Sequence, residues 1–189
     1  MRIIGGEFRG FRLADPGKGD RAAQLRPTSD RVREAIFNLL MGGAHGDPVT
    51  GARVLDLFAG TGALGLEALS RGARHCTFID NGATARALLR RNITAMQLMG
   101  RTRVWRRDAT QPGSNHGPAF DLVFLDPPYG RDLGARALTA ALVGGWLVPG
   151  AMIVWEEAAP QTPPAGFLHC DTRRYGDTVI TFLRVAPDT

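Results

Sequence analysis

At 189 residues and 44% hydrophobic content, the chain can build one full core with a small appendage. Its net charge of +5 and pI near 10.2 favour a polyanionic partner over an acidic one. Cys76 and Cys170 are far apart and the four histidines are scattered, so neither a disulfide framework nor a zinc site is readable. The start "MRIIGGEFRG" is polar and glycine-rich, and no run approaches the length of a membrane span. A soluble cytoplasmic protein without metal or membrane contact is expected.

"RIIGGEFRGFRL" (2–13) predicts two short strands around Gly5-Gly6, a small hairpin. A Pro/Gly-rich loop comes next, over 14–27. Residues 1–33 hold eight basic and four acidic side chains, and so carry +4 of the total +5. Lys18 is the only lysine; arginine suits phosphate and base contacts better. Arg2, Arg9, Arg12, Arg26, Arg31 and Arg33 are the candidate nucleic-acid contacts, with a merely solvated extension as the plain alternative. The chain is accordingly divided into a basic arm (1–27) and a main domain (28–189).

"PTSDRVREAIFNLL" (27–40) predicts a helix capped by Thr28 or Ser29, with Val32, Ile36, Phe37 and Leu40 on its apolar face. Its opening "RPTSDRVRE" either guides RNA over a cofactor or is a capped core helix with Arg–Glu pairing. Strands then alternate with helices: strand 53–58, helix 62–71, strand 75–80, helix 83–98 and strand 102–107. Strand 120–126, helix 131–145 and strand 151–156 come after a loop-like "QPGSNHGPAF" (111–120), where a helix is short or missing. This alternation predicts an α/β fold with a doubly wound parallel sheet. Residues 167–175 and 178–185 flank Gly176-Asp177 and predict an antiparallel hairpin closing one edge.

"VLDLFAGTGALGLEALSRGA" (54–73) sets Gly60, Gly62 and Gly65 in a G-x-G-x-x-G frame between strand and helix, the context of a nucleotide-cofactor loop. A dinucleotide is the obvious competitor. Asp56, at the end of the first strand, would meet a pyrophosphate unfavourably but suits the cationic methionine part of S-adenosylmethionine, and Phe58 adds bulk beside the turn. Asp80 ends the second strand, where a carboxylate accepts both ribose hydroxyls. Asp108 lies just past the third, placed for an adenine amino group, or else is a surface charge beside Arg106 and Arg107. Thr61 and Ala109 complete the candidate cofactor contacts. Asp56, Asp80, Asp108 and Asp126 lie at the C-terminal ends of successive strands, the ligand-binding rim of an open parallel sheet.

"FDLVFLDPPYG" (120–130) ends an apolar strand in a carboxylate, two prolines and an aromatic ring. Proline stops the ladder, and each residue before a proline is held extended. The corner Asp126-Pro127-Pro128-Tyr129 is therefore the candidate catalytic set. The Asp126 carboxylate and the Pro127 carbonyl can each accept an N–H of an exocyclic amine, and Tyr129 can stack on a base extruded from its neighbours. Neither cysteine comes after a proline in such a loop, which argues against cytosine C5 chemistry.

The chain resembles the RsmD family of 16S rRNA guanine-N2 methyltransferases over nearly its whole length. The resemblance rests on "MRIIGGEFRG", "LRPTSDRVREAIFNLL", "VLDLFAGTGALGLEALSRGA", "FLDPPY" and "YGDTVITFLR". It implies a seven-stranded, Rossmann-like class I methyltransferase sheet with a small N-terminal hairpin, S-adenosylmethionine as methyl donor, and the assembled small ribosomal subunit as substrate; a monomer is expected separately. It further implies that Asp56, Gly60, Gly62, Asp80 and Asp108 contact the cofactor and that Asp126, Pro127 and Tyr129 hold the guanine. Asp80 stands where a longer glutamate is common in the family. Two other readings stay open: a DNA methyltransferase using the same clamp, on adenine or less readily cytosine, and a non-catalytic nucleic-acid-binding protein.

Overall fold

The computed structural model describes residues 1–14 and 29–187. Lys18, Arg21, Arg26, the capping candidate Thr28 and the expected division at residue 27 lie outside the described residues. In chain order the elements are α1 (Asp30–Met41), β1 (Arg53–Leu57), α2 (Ala63–Ser70), β2 (His75–Ile79), α3 (Ala83–Ala95), β3 (Thr102–Trp105), β4 (Phe120–Leu125), α4 (Leu133–Val143), β5 (Leu147–Glu157), β6 (Phe167–Tyr175) and β7 (Thr178–Val185). One seven-stranded sheet results, in the order β3-β2-β1-β4-β5-β7-β6. The first five strands are parallel and the β6–β7 hairpin is antiparallel, as the alternation predicts. β1 and β4 are neighbours, so the chain reverses its direction of winding between them, and a ligand crevice is expected at that switch.

Side-chain alternation divides the core between the two sheet faces. Val54, Phe78, Phe124 and Val154 pack with Ile36, Phe37 and Leu40 of α1, with α2, and with Leu89 and Ile93 of α3. Leu55, Leu57, Val123, Leu125 and Trp155 pack on the opposite face with Ala137, Leu138 and Ala141 of α4. Among the described residues no helix joins β3 to β4; the loop instead closes over the second core. Trp146 donates its indole N–H to the Gly113 carbonyl at 2.7 Å, and Arg107 lies 4.1 Å over the Trp105 ring. Helix α1 is capped by Ser29, whose hydroxyl accepts from the Val32 N–H.

The N-terminal segment departs from expectation. In place of two strands around Gly5-Gly6 there is one antiparallel bridge, Arg2 to Arg12, with turns between. The segment does not stand apart from the main core either: Ile3 and Leu13 are buried in it. The cause is Glu67, a fully buried carboxylate on α2. It accepts the backbone N–H groups of Ile4 (2.8 Å) and Gly5 (2.9 Å), and pairs with Arg71 (2.7 Å) and Arg33 (3.4 Å). Those two donors are lost to the ladder, which is confined to Ile3 donating to Phe11, Gly10 to Ile3 and Leu13 to Met1.

Arg33 is correspondingly not a nucleic-acid contact. It is fully buried, pairs with Glu67 and with Asp30 (3.0 Å), and donates to the Arg2 carbonyl. "RPTSDRVRE" thus supplies a capped core helix with Arg–Glu pairing. Removing one partner of a buried ion pair leaves the other charge uncompensated, at about 3–5 kcal/mol. Glu67→Ala is therefore expected to cost at least about 3 kcal/mol, and to lower the melting temperature by about 2–4 °C per kcal/mol in a domain of this size. Thermal unfolding monitored by circular dichroism checks it.

Candidate active site

The first βα turn gives the candidate cofactor loop its shape. Phe58 directly succeeds β1 with φ 60°, a left-handed conformation that a bulky residue adopts only under constraint. Gly60 (φ 56°) and Gly62 (φ 79°) share that region, and Gly62 is the N-cap of α2. Gly65 is required for a different reason. A Cβ there would lie 2.9 Å from the Asp56 carboxylate and 2.4 Å from the Phe78 ring. With no side chain in the way, the Gly65 N–H donates to Asp56 at 3.0 Å. Thr61 is buried in the loop, and its carbonyl accepts from the Asn92 side chain of α3.

Asp80 braces the same loop from β2. Its carboxylate oxygens accept the N–H groups of Gly60 (2.8 Å) and Gly82 (2.7 Å), tying the end of the second strand to the glycine turn. Asp108, beyond β3, is exposed and closes a local turn by accepting the Thr110 N–H and hydroxyl, both at 2.8 Å; Ala109 beside it is buried. Asp56, Gly60, Gly62 and Asp80 are thus joined around one turn, while Asp108 stands at the rim's far end.

The Asp126 corner comes directly after β4, with the expected break in the ladder at Leu125. Leu57 pairs with Leu125, and the Asp126 N–H reaches back to the Leu57 carbonyl at 3.5 Å, so the corner is fastened to the end of β1. Tyr129 donates its hydroxyl to Glu156 at 3.0 Å, and the Gly130 N–H donates to Glu157 at 3.3 Å. Glu156 and Glu157 end β5 and are both buried. Sequence reasoning passed over these two. The signal for them was "MIVWEE", an apolar strand ending in carboxylates just as β1, β2 and β4 do.

The result is a rim dense in negative charge. Burial raises the Asp126 carboxyl well above its usual 3.8, and the neighbouring Glu156, Asp56 and Glu157 push it further. Asp56 is raised by burial, against the Gly65 hydrogen bond, with Asp80 adding to the rise. Burial and Glu156 raise the Tyr129 phenol. Neither Asp56 nor Asp126 forms a salt bridge with a described residue. No group of three or more His, Cys, Asp or Glu among the described residues is arranged to hold a metal ion. Such a rim suits a cationic organic ligand whose charge offsets the buried carboxylates.

The family model described as "Conserved hypothetical protein 95" matches residues 1–184. The chain belongs to this family, the RsmD family. It is 37% identical over 173 residues to "Ribosomal RNA small subunit methyltransferase D" of Escherichia coli K12, covering 89% of this chain and 82% of that protein. The Haemophilus influenzae protein of the same name is 37% identical over 161 residues, covering 82% and 78%. Among solved structures, "Putative methyltransferase yhhF from Escherichia coli" superposes with a TM-score of 0.81 at 34% identity, covering 100% of this chain and 99% of that one. The fold is that of the class I methyltransferases, in agreement with the alternation and the resemblance.

Of the candidate RNA contacts in this RsmD-family chain, Arg2, Arg9, Arg12 and Arg31 are exposed, Arg2 lying 3.6 Å from Asp30. Among the described residues no helix is long and apolar enough to cross a membrane.

A raised carboxyl has a stability consequence of definite sign. The native state holds the Asp126 proton to higher pH than the unfolded chain does, so the fold loses stability as pH rises from 3.8 through the raised value. Asp126→Asn removes that loss. It is expected to stabilise the ligand-free protein at neutral pH by about 1 kcal/mol, or about 2–4 °C, and to give no advantage in acid below pH 3.8. Melting temperatures of both proteins across pH are the check.

Proposed function

We propose that this protein transfers a methyl group from S-adenosylmethionine to the exocyclic N2 of a guanine in 16S rRNA, extruded from its stack in the assembled small subunit. The observation that carries the reading is the pairing of β1 with β4, which sets the glycine turn and Asp56 beside the Asp126–Tyr129 corner. The names of the relatives, small-subunit rRNA methyltransferases, support the substrate class.

In this reading Asp56 faces the cationic amino-acid end of the cofactor, the Gly60–Gly62 turn admits its approach, and Asp80 and Asp108 address its ribose and adenine. S-adenosylmethionine supplies an electrophilic methyl carbon and takes up the electron pair of the S–C bond that breaks. The amine lone pair is delocalised into the guanine ring, so the protein's task is to aim it. Asp126 and the Pro127 carbonyl each accept one N–H, Pro128 stiffens the corner, and Tyr129 stacks on the base. Positioning of this kind supplies on the order of 7–11 kcal/mol in favourable cases. Stacking adds about 1–3 kcal/mol toward the cost of extruding the base. As nitrogen gains positive charge in forming its bond to carbon, the Asp126 carboxylate compensates it and can receive the proton released. A cation bound at the rim also favours the ionised form of Asp126, which is the form the clamp uses.

Labelled S-adenosylmethionine offered to unmodified small subunits, naked rRNA and duplex DNA tests the reading, with products identified by mass. N2-methylguanosine from subunits alone is expected; methyladenine or methylcytosine in DNA would overturn it. Asp126→Ala is expected to reduce turnover by at least a hundredfold, with cofactor affinity by calorimetry within a few-fold of wild type. Arg9, Arg12 and Arg31 are proposed as phosphate contacts. Replacing each by Ala is expected to weaken subunit binding and lower the salt-dependence slope by about one per contact. An unchanged slope in the triple variant would remove them from the interface.

A further inference from the structure

Glu156 has no role in the clamp itself, yet it is held directly beside it. The last register pair between β4 and β5 is Leu125 with Trp155, so Asp126 and Glu156 are the next residues along two adjacent parallel strands, about 4.8 Å apart by ordinary sheet spacing. Both take, by alternation, the face of Phe124 and Val154, the face on which Asp56 also lies. The Glu156 carboxylate accepts the Tyr129 hydroxyl at 3.0 Å, which fixes the proposed stacking ring and this acceptor relative to each other. A carboxylate offers about four lone-pair directions, so one Glu side chain can serve more than one donor.

A cation bound at the rim favours ionisation of the two adjacent carboxylates, which then form a surface of acceptors only, and the bases differ in what they present to it. Guanine carries donors at adjoining positions, the ring N1–H and the exocyclic N2 amine. Adenine sets its N6 amine beside the N1 acceptor, and cytosine sets its N4 amine beside the N3 acceptor. With the amine at Asp126, only guanine meets the neighbouring carboxylate with a hydrogen; the other two bases would oppose a buried carboxylate with a lone pair. We propose that Glu156 is a specificity-determining residue that accepts the N1–H of the target guanine, so that the Asp126–Glu156 pair selects guanine over adenine and cytosine. This rests on the guanine-N2 reading above and extends it to base choice.

2-Aminopurine separates the two, because it keeps the exocyclic 2-amine but carries an acceptor at N1. Once mass mapping has located the methylated nucleotide, small subunits are reconstituted on rRNA with either guanine or 2-aminopurine there. Turnover is then compared for the wild type, Glu156→Gln and Tyr129→Phe. The wild type is expected to prefer guanine by at least about a hundredfold, since a site built around a substrate N–H rejects an analogue lacking it strongly. Glutamine can donate to the N1 acceptor, so Glu156→Gln is expected to shrink that preference at least about tenfold. Tyr129→Phe removes the hydroxyl but keeps the carboxylate, and is expected to retain the wild-type preference even where its rate falls. The loss of O6 in 2-aminopurine is common to all three enzymes and cancels in the comparison.

Equal losses on both substrates in Glu156→Gln would overturn the proposal, as would Tyr129→Phe reproducing the altered preference. A wild type that makes no N2-methylguanosine on the guanine subunits would instead overturn the guanine reading itself, a failure visible in that arm alone.

Discussion

The lateral pairing of β1 with β4 is the constraint on which this molecule turns. Leu57 lies opposite Leu125, so both strands end level with each other. The residues just past each strand end are incompatible with further sheet: a left-handed Phe58 leading into glycines on one side, a carboxylate and two prolines on the other. Two abrupt stops at the same height set the two turns side by side. Each is stiff for its own reason, the first because Asp56 and Asp80 hold the turn's N–H groups, the second because proline has little freedom to lose.

Glu67 performs a comparable service behind the glycine turn. Helix α2 begins at that turn, and every one of its eight residues is buried. A buried carboxylate in its middle would be costly alone, but it gathers two backbone N–H groups and two guanidinium groups. The N-terminal segment and α1 are thereby bolted to the helix that carries the glycine turn. Hydrogen bonding to a buried charge is directional, so this arrangement specifies how the three pieces meet, whereas apolar packing alone would permit several.

Clustered carboxylates at the other end of the sheet have the opposite energetic sign. Asp56, Asp126, Glu156 and Glu157 come from three neighbouring strands and crowd a partly closed rim, at the expense of the ligand-free fold. In the proposed reading these carboxylates receive a cation and the base's amine and ring N–H groups, and a site built for such partners is uncomfortable without them. Stability and recognition draw on the same side chains here, with Glu67 helping to hold the frame against the repulsion.

Much of this was legible in the chain. Apolar runs ending in Asp56, Asp80 and Asp126, separated by helical periodicity, determine a parallel sheet with carboxylates along one rim, because strand alternation and proline chemistry are local. Helix α1, its Ser29 cap and the final hairpin are local in the same sense. Arg33 shows where local reasoning stops: an arginine in a basic stretch is indistinguishable from a phosphate contact until α2 brings Glu67, 34 positions further along, against it. The N-terminal pairing is cut short for the same reason: Ile4 and Gly5 turn their N–H groups to Glu67 on α2, so the two arms keep only the bonds around the Arg2–Arg12 bridge. Glu156 is the counterpart at the site. Its strand neighbour Asp126 is 30 positions away in the chain, and only the β4–β5 register makes the two adjacent. Composition and periodicity determine which residues can serve a cation and a base; register and long-range ion pairing determine which of them are there to do so.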